Sequence, residues 1–310
     1  IYNKNRIVKE INSYATIPTL TQFLENNGQD IRILYQGSNC WSSLKRAAGR
    51  ISYADDAVTK RLEKGMANLI HHNTTSFLRF VERFIAGEEV HTVEANKTYA
   101  IMLYYALFQD KLSKTGYSSI NEALELIHLP KYACFKQEIA EIVSYLLSRL
   151  DIKTTPIGAE IIPGLELYGC YTREEVFTLV GRQTAEVKMQ GAASGAFNLP
   201  EHNAVLLFVT LNKSEKDFSP STQYNDYLIN ENYFHWQSKN TDSHYNSGGR
   251  KYIEQSKTGI NVILFVREEK KDGFGNTSPF HCFGLVDYVS SHDDFPMNVK
   301  WKLQKPAMAQ

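Results

Sequence analysis

The spacing of apolar residues changes character halfway along this 310-residue chain. In the first half, apolar residues recur three and four positions apart, as in TTSFLRFVERFIAGE at residues 74–88, which is the period of an α-helix with one buried face. In the second half, short apolar runs such as NAVLLFVTLN at residues 203–212 are bounded by turn-forming residues, which is typical of β-strands. This single change of period predicts an α+β fold, with an all-helical N-terminal domain followed by a β-rich domain.

Caps and helix breakers predict six to eight short helices up to about Asp151. At residues 16–28, TIPTLTQFLENNG places a proline near the predicted helix start and a glycine just past its end. The other helical segments predicted in this half are residues 39–49, 55–73, 74–88, 96–111, 119–129 and 134–150.

The segment 151–169 carries two prolines and three glycines and has no helical face. These residues disfavour regular structure, so we expect an accessible joint between a helical domain over residues 1–153 and a β-rich domain over residues 165–310. One more helix is predicted just beyond the joint, where Thr172 is followed three residues later by Glu175 in the pattern of a capping box.

Strand-length segments dominate the rest of the chain, at residues 203–212, 260–269, 280–290 and 298–304. The run VILFV at residues 262–266 is apolar throughout, which predicts a central strand. The run VKWKL at residues 299–303 alternates, which predicts one face in water. Several strands with one or two helices favour a small barrel or a curled sheet.

Charge and cysteine usage restrict the classes of protein that fit. Lysine plus arginine and aspartate plus glutamate both total 34, so any affinity for nucleic acid must come from a local patch. The four cysteines form no CxxC pair, which argues against a zinc ribbon and favours the cytoplasm.

The longest apolar runs are too short to span a bilayer, so we expect no membrane partner. Because the first residue is Ile1 rather than Met, we expect a fragment or a processed chain.

The sequence carries no strong catalytic motif. The sequence contains no GxxxxGK[ST] phosphate loop, no HExxH and no GxSxG. His71 and His72 lie in a predicted helix and should point in different directions. The run SSHDD at residues 290–294 offers ligands for a cation, but its pattern is more typical of a solvated turn. Glu186 and Lys188 match the ExK pattern of metal-dependent nucleases, but no strand-borne aspartate precedes them at short range. We therefore expect no catalytic residue, metal or cofactor in this segment, and keep a nuclease as an alternative.

The best candidate for a binding surface is the polar and aromatic stretch at residues 219–255. Its central part, residues 224–241, shows neither a helical nor a strand period, and we expect the loop at residues 224–240 to form one wall of a nucleic-acid-binding cleft. Its rings offer stacking faces to bases, and its amides and hydroxyls suit base edges or phosphates. A structured loop with exposed rings is an equally good explanation. The candidate DNA-binding residues are Lys213, Ser219, Thr222, Tyr224, Asn225, Trp236, Ser238, Lys239, Asn240 and Arg250.

Trp236 is the leading stacking candidate within this stretch. If Trp236 faces the ligand in an extended segment, Phe234 and Ser238 share its face while His235 and Gln237 turn inward. In the alternative arrangement Trp236 is a core residue, and His235 and Gln237 form the outward pair.

Long motifs of the second half resemble DUF3427, a domain of unknown function found at the C-terminus of bacterial superfamily 2 helicase-like proteins. These motifs are YTREEVFTLVG, FVTLNKSEKDFSPSTQYNDYLINENYFHWQSKNT, GRKYIEQSKTG, ILFVREEKKD, SPFHCFGLVDYVS and PMNVKWKLQKP, which lie between residues 171 and 306. The first half, most of all IPTLTQFLENNGQDIRILYQGSNCWSSLKRAAG at residues 17–49, looks like the helical extension that follows the helicase core in those proteins.

The resemblance implies an ATP-dependent helicase core N-terminal to this segment in a parent protein, in a bacterial phage-defence or restriction system. By analogy at the level of the fold, we expect the β-rich domain to be a half-open barrel of the PUA, SRA or B3 type. The expected function is accessory DNA recognition for the helicase, with a modified base as one candidate feature. The alternatives are a metal-dependent nuclease and a protein-docking module of the helicase.

The missing phosphate loop gives the first prediction. The purified chain should release no phosphate from ATP above the buffer blank, because it has no phosphate loop and no acidic box to hold Mg²⁺. A colorimetric phosphate assay on successive chromatography fractions measures this. ATP hydrolysis that follows the protein through further purification would contradict the prediction.

Overall fold

The computed structural model describes residues 2–158, 160–189, 195–213 and 224–307, which fall into two compact units. The first unit comprises Ile1–Asp151, Gly181–Met189 and Gly273–Asn276. The second unit comprises Ile152–Val180, Gln190–Asp272 and Thr277–Gln310. The first is helical and the second is rich in β-strands, so the predicted α+β class is confirmed. No helix in the described ranges is long and apolar enough to cross a lipid bilayer.

Short α-helices build the first unit. They are α1 (Lys4–Ser13), α2 (Leu20–Asn27), α3 (Trp41–Ala47), α4 (Ala57–Gly65), α5 (Thr75–Ile85), α6 (Lys97–Phe108), α7 (Leu112–Thr115), α8 (Ile120–Glu125) and α9 (Ala133–Leu147). Short 3₁₀ turns lie between them at Ile31–Tyr35, Met66–Asn68, Val90–Thr92, Glu94–Asn96, Leu126–His128 and Pro130–Tyr132. Every segment predicted to be helical contains an α-helix.

The caps of α2 follow the predicted pattern. Thr19 and Gln22 form a reciprocal capping box at its start, and Gly28 ends it with a left-handed backbone at φ 59°. At residues 55–73 the helix is shorter than predicted, because α4 ends at Gly65. His71 and His72 therefore follow a turn rather than a helix, and their ring centroids lie 4.3 Å apart instead of pointing away from each other.

A buried carboxylate ties α9 to the start of α3. Glu138 is fully buried and accepts hydrogen bonds from the backbone N–H of Trp41 at 2.8 Å and of Ser42 at 2.7 Å. The hydroxyl of Tyr35 donates a third bond at 2.9 Å. Glu138 thus satisfies two of the N–H groups that α3 leaves without a partner inside the helix.

In the second unit, two short strands, β1 (Thr155–Pro156) and β2 (Glu166–Leu167), form an antiparallel pair. The other elements are β3 (Cys170–Tyr171), α10 (Arg173–Leu179), β4 (Ala196–Leu199), β5 (Ala204–Thr210), β6 (Tyr227–Asn230), β7 (Tyr233–Gln237), α11 (Ser247–Ile253), α12 (Gln255–Thr258), β8 (Asn261–Arg267), β9 (Phe280–His292) and β10 (Asn298–Leu303), with a 3₁₀ turn at Pro200–His202. The main sheet runs β4-β5-β8-β9-β10-β7-β6, and β3 pairs with β9. Only β5 and β8 pair in parallel within this sheet, among the strands that the structure describes.

The predicted strands and the predicted cap are confirmed. Strand β8 lies between β5 and β9, as the apolar run at residues 262–266 indicates. Thr172 and Glu175 form the expected capping box at the start of α10. The half-open barrel type stays a prediction.

The segment predicted to be an accessible joint is not free of regular structure. It contains β1 and β2, and it fully buries Ile162 and Leu165. Burial of two large apolar side chains offsets the low strand propensity of the surrounding prolines and glycines. Residues 152–180 therefore belong to the body of the second unit.

Large aromatic rings pack between α11 and the face of the main sheet that carries Trp236 and Trp301. Tyr252, on α11, meets the ring of Trp236 at a centroid distance of 5.1 Å and 78°, and the ring of Trp301 at 5.8 Å and 86°. These are edge-to-face arrangements, which add to the energy of burial. Gly249 lets α11 approach, because a Cβ there would lie 2.2 Å from the carbonyl oxygen of Ser243.

The role of Glu138 gives the second prediction. Glu138→Ala should lower the free energy of unfolding by about 3 kcal/mol or more, because each buried donor left without a partner costs roughly 1–3 kcal/mol. Urea unfolding of the full chain measures the change. The control is Glu82→Ala, whose surface carboxylate pairs only with Arg79 in the described contacts and should cost less than about 1 kcal/mol. Equal effects of the two substitutions would show that Glu138 does not stabilise α3.

Candidate nucleic-acid interface

Strand β7 decides which side chains of the polar and aromatic stretch face solvent. Phe234 is 0% exposed and Trp236 is 4% exposed, whereas His235 and Gln237 are partly exposed. Successive side chains of a strand point to opposite faces, so the two rings share one face and the two polar side chains share the other.

The register with β10 explains which set is buried. Trp236 lies opposite Val299 and Phe234 lies opposite Trp301, both of which are fully buried. Residues directly opposite each other in an antiparallel pair share a face of the sheet. The inward side of β7 therefore continues the inward side of β10.

The expectation that Trp236 stacks on a ligand is wrong. Its ring lies in the core against Tyr252, because it occupies an inward position of an alternating strand. Ser238, which was expected to share a ligand face with Trp236, is also fully buried. The Ser238 hydroxyl accepts a hydrogen bond from the backbone N–H of Met297 at 3.0 Å. The alternative arrangement is the observed one, with His235 and Gln237 turned outward.

Lys213 takes part in a buried ion pair rather than an exposed basic patch. Its Nζ lies 2.6 Å from Oδ2 of Asp226, and the two side chains are 9% and 3% exposed. Nζ also donates to the carbonyl oxygen of Tyr224 at 2.9 Å, and Asp226 Oδ1 accepts the backbone N–H of Gln237 at 2.8 Å. Burial raises the pKa of the Asp226 carboxyl above its ordinary value, and the ammonium of Lys213 opposes that rise without cancelling it. The pair anchors the chain before β6 against β7.

The other predicted residues are scattered over the second unit. Tyr224 is partly exposed, and the Nζ of Lys213 lies 5.4 Å from its ring centroid. The exposed Asn225 is held on β7, because its backbone N–H donates to Oε1 of Gln237 at 2.6 Å. Arg250 is exposed on α11 and pairs with Glu254 at 2.6 Å. Lys239 is partly exposed and Asn240 is exposed, whereas Ser219 and Thr222 lie outside the described residues.

A different set of side chains forms one continuous surface on β6, β7 and β10. Across these strands, Tyr227 lies opposite His235, and His235 lies opposite Lys300. In neighbouring rows Tyr233 lies opposite Lys302, and Gln237 lies opposite Asn298. We call this surface the outer face; its residues are Tyr227, Tyr233, His235, Gln237, Asn298, Lys300 and Lys302.

Rings and lysines meet on the outer face. The rings of Tyr227 and His235 stack at a centroid distance of 4.6 Å and an interplanar angle of 13°. The Nζ of Lys300 lies 4.5 Å from the ring centroid of Tyr233, which is a cation–π distance. Lys302 is exposed, and Asp287 lies opposite it on β9.

The amides of the outer face are already hydrogen-bonded within the protein. Gln237 Nε2 donates to Oδ1 of Asn298 at 2.9 Å, and Asn298 Nδ2 donates to Oδ2 of Asp293 at 3.0 Å. These bonds hold both side chains in place. They therefore suit a fixed platform better than base-specific hydrogen bonding.

Part of this surface is indicated by the sequence itself. The alternation of VKWKL predicted one wet face for β10, and the wet positions of that run are Lys300 and Lys302. Joining that face to β7 requires the register between the two strands, which lies outside any local pattern. Sequence reasoning therefore selected Trp236 and missed the lysines.

Structural support for the nuclease alternative is weak. Lys188 Nζ donates to the backbone carbonyl of Gln109, in the first unit. Within the described ranges, Glu186 belongs to no group of side chains close enough together to hold a metal ion.

The region that carries the outer face matches a known protein family. Residues 165–310 match the model of a protein family described as a domain of unknown function, DUF3427. The match covers β2 to β10 and helices α10 to α12. No curated protein matches the chain.

The burial of Trp236 gives the third prediction. Trp236→Ala should lower the free energy of unfolding by about 3–5 kcal/mol, because it removes a large ring from a packed core. Urea unfolding measures this, with Tyr245→Ala as the matched control, since that ring is 87% exposed and its loss should cost less than about 1 kcal/mol. A Trp236→Ala variant as stable as the control would return Trp236 to the ligand-facing arrangement.

Proposed function

We propose that the second unit binds nucleic acid through the outer face of β6, β7 and β10. The observation that carries this proposal is the stacked pair of Tyr227 and His235 on a sheet surface, with Lys300 next to it on the neighbouring strand. Single-stranded nucleic acids are commonly bound on such surfaces, by bases that stack on aromatic rings of a sheet and by lysines that contact the backbone.

The stacked pair favours binding because it is formed before any ligand arrives. Tyr227 is 45% exposed, so a base can extend the stack at little cost in side-chain ordering. Stacking of one base on an aromatic ring contributes about 1–3 kcal/mol and tolerates any sequence.

The two lysines supply the positive charge that the whole chain lacks. Lys300 and Lys302 are two residues apart on β10, so they project from the same side about 7 Å apart along the strand. With a net charge of zero overall, the protein gains an attraction for phosphate only where such residues cluster. Of the two, Lys302 lies opposite the carboxylate of Asp287 on β9, whereas Lys300 lies opposite the neutral Ser290.

DNA is the ligand that the resemblance to helicase-associated regions favours. In that setting, this chain would be an accessory DNA-recognition region of a bacterial superfamily 2 helicase in a phage-defence or restriction system, with ATP hydrolysis supplied by the helicase core of a parent protein. The half-open barrel and the recognition of a modified base belong to the same proposal and rest on the same resemblance.

A protein-docking role is the second candidate. Leu228 and Ile229 are 40% and 42% exposed on β6, which ends the described path of the sheet. Exposed apolar side chains on an edge strand are a feature of sheets that pair with another chain. This role predicts that the outer-face lysines do not affect binding to DNA.

The fourth prediction tests the outer face. Tyr227→Ala should weaken binding to DNA about ten- to a hundredfold, since one stacking ring is lost. Lys300→Gln combined with Lys302→Gln should lower the slope of log affinity against log salt by about 1 to 2. Fluorescence anisotropy with plain and base-modified DNA, single-stranded and duplex, at two salt concentrations measures both effects.

The matched control is Lys257→Gln, an exposed lysine on α12 that lies outside the outer face. It should leave both the affinity and the salt slope unchanged. The proposal would be wrong if no DNA bound in a salt-dependent way, or if the outer-face variants bound as well as this control.

A further inference from the structure

The second unit brings His244 against Ser291 and Asp294, which both lie in the SSHDD run at residues 290–294. His244 Nδ1 lies 2.9 Å from Oδ1 of Asp294, and His244 Nε2 lies 2.8 Å from Oγ of Ser291. We propose that Ser291, His244 and Asp294 form a nucleophile, general base and orienting carboxylate that hydrolyse carboxylic esters. Such a triad is recognised by its geometry and not by the order of its residues in the chain.

The hydrogen-bond directions agree with these roles. The backbone N–H of His244 donates to Oδ1 of Asp294 at 2.7 Å, and this bond together with the bond from the ring holds the pKa of the Asp294 carboxyl below its ordinary value. The carboxylate is thus an acceptor, which makes Nδ1 the protonated nitrogen of the ring. Nε2 is left as the acceptor for the hydroxyl of Ser291, as a general base must be.

Tyr288 completes the set as a donor. Its hydroxyl lies 2.7 Å from Oγ of Ser291. Because the Ser291 hydroxyl donates to His244, the Tyr288 hydroxyl is the donor in this bond. The backbone N–H of Tyr288 donates to Oε1 of Gln255 at 2.6 Å, which fixes the strand at that point. A tyrosine hydroxyl beside the nucleophile can donate to the oxyanion that forms during ester cleavage.

The surroundings leave the triad accessible. The side chains of His244 and Asp294 are 29% and 30% exposed. Tyr245 and Phe295, their neighbours in the chain, are 87% and 60% exposed and offer apolar area to an aryl or alkyl ester. Phe295 has a left-handed backbone at φ 58°, which is unusual for a bulky residue and recurs at functional sites.

The proposed reaction needs only the ester and water. Ser291 Oγ attacks the carbonyl carbon, its proton passes to Nε2 of His244, and the carbonyl electron pair moves onto the oxygen that Tyr288 stabilises. Collapse of this intermediate breaks the bond to the alcohol, which leaves with the proton from Nε2. Water then repeats the sequence on the acyl-serine, releasing the carboxylic acid and restoring the serine.

This inference does not depend on nucleic-acid binding. Ser291 lies opposite Val299, a core residue of β10, whereas the outer face is built from the alternate positions of that strand. Loss of DNA binding on changing Lys300 would therefore leave the triad intact.

The fifth prediction tests the nucleophile. Diisopropyl fluorophosphate should phosphorylate Ser291 Oγ with loss of fluoride, and peptide mapping by mass spectrometry should find the adduct there. Ser291→Ala should abolish this adduct, while Ser290→Ala, the matched control on the exposed neighbour, should leave it unchanged. The same protein should hydrolyse p-nitrophenyl acetate, and Ser291→Ala should remove that activity.

The general base is tested by the rate of labelling. His244→Gln should slow the labelling of Ser291 about a hundredfold. Asp294→Asn, which keeps the size of the side chain, should slow it about tenfold or more and serves as the second test if the His244 variant does not fold. The proposal is overturned if the folded protein gives no adduct at Ser291, or if the adduct forms as fast in Asp294→Asn as in the unaltered chain.

Discussion

The pairing of β7 with β10 determines what the second unit shows to solvent. A shift of this register by one residue would exchange the two faces of β7 and bring Phe234 and Trp236 to the surface. Burying a large apolar side chain is worth about 1.5–3 kcal/mol, so the two rings together strongly oppose such a shift. The stacked Tyr227 and His235 rings owe their exposure to this burial on the opposite side. The packed core thus selects the candidate binding surface.

Local patterns predicted most of the long helices and the central strands, but missed α1 and the two strands β6 and β7, which lie in the stretch that shows no clear period in the sequence. The capping residues Thr172 and Glu175, the central position of β8 and the alternating faces of β10 all follow from short-range physics. In β7 the same local physics allows two arrangements, one with Phe234 and Trp236 buried and one with His235 and Gln237 buried. Choosing between them required the identity of the partner strand, whose residue Val299 lies far along the chain from Trp236.

The candidate sites depend even more on contacts between residues that are distant in the sequence. The histidine and serine of the proposed triad are separated by 47 positions, and the histidine and aspartate by 50. Lys213 looked like part of a basic patch, but its partner Asp226 neutralises it in the interior. A charge counts for recognition only if the fold leaves it unpaired or exposed, and sequence alone does not contain that information. The alternation of β10 shows in the sequence that Lys300 and Lys302 share one face, but it does not show which strands lie beside them.

The order in which the strands leave the ribosome has a consequence for the outer face. Strands β8, β9 and β10 follow one another along the chain and pair as neighbours. Strand β7 instead pairs with β10, which is synthesised some sixty residues later. Pairings between distant segments form slowly because a long loop must close first. During synthesis, the rings of β6 and β7 therefore precede the lysines that complete their surface. A nascent chain that stops short of β10 presents the large apolar rings of β7 without their cover, and is exposed to aggregation until the last strand arrives.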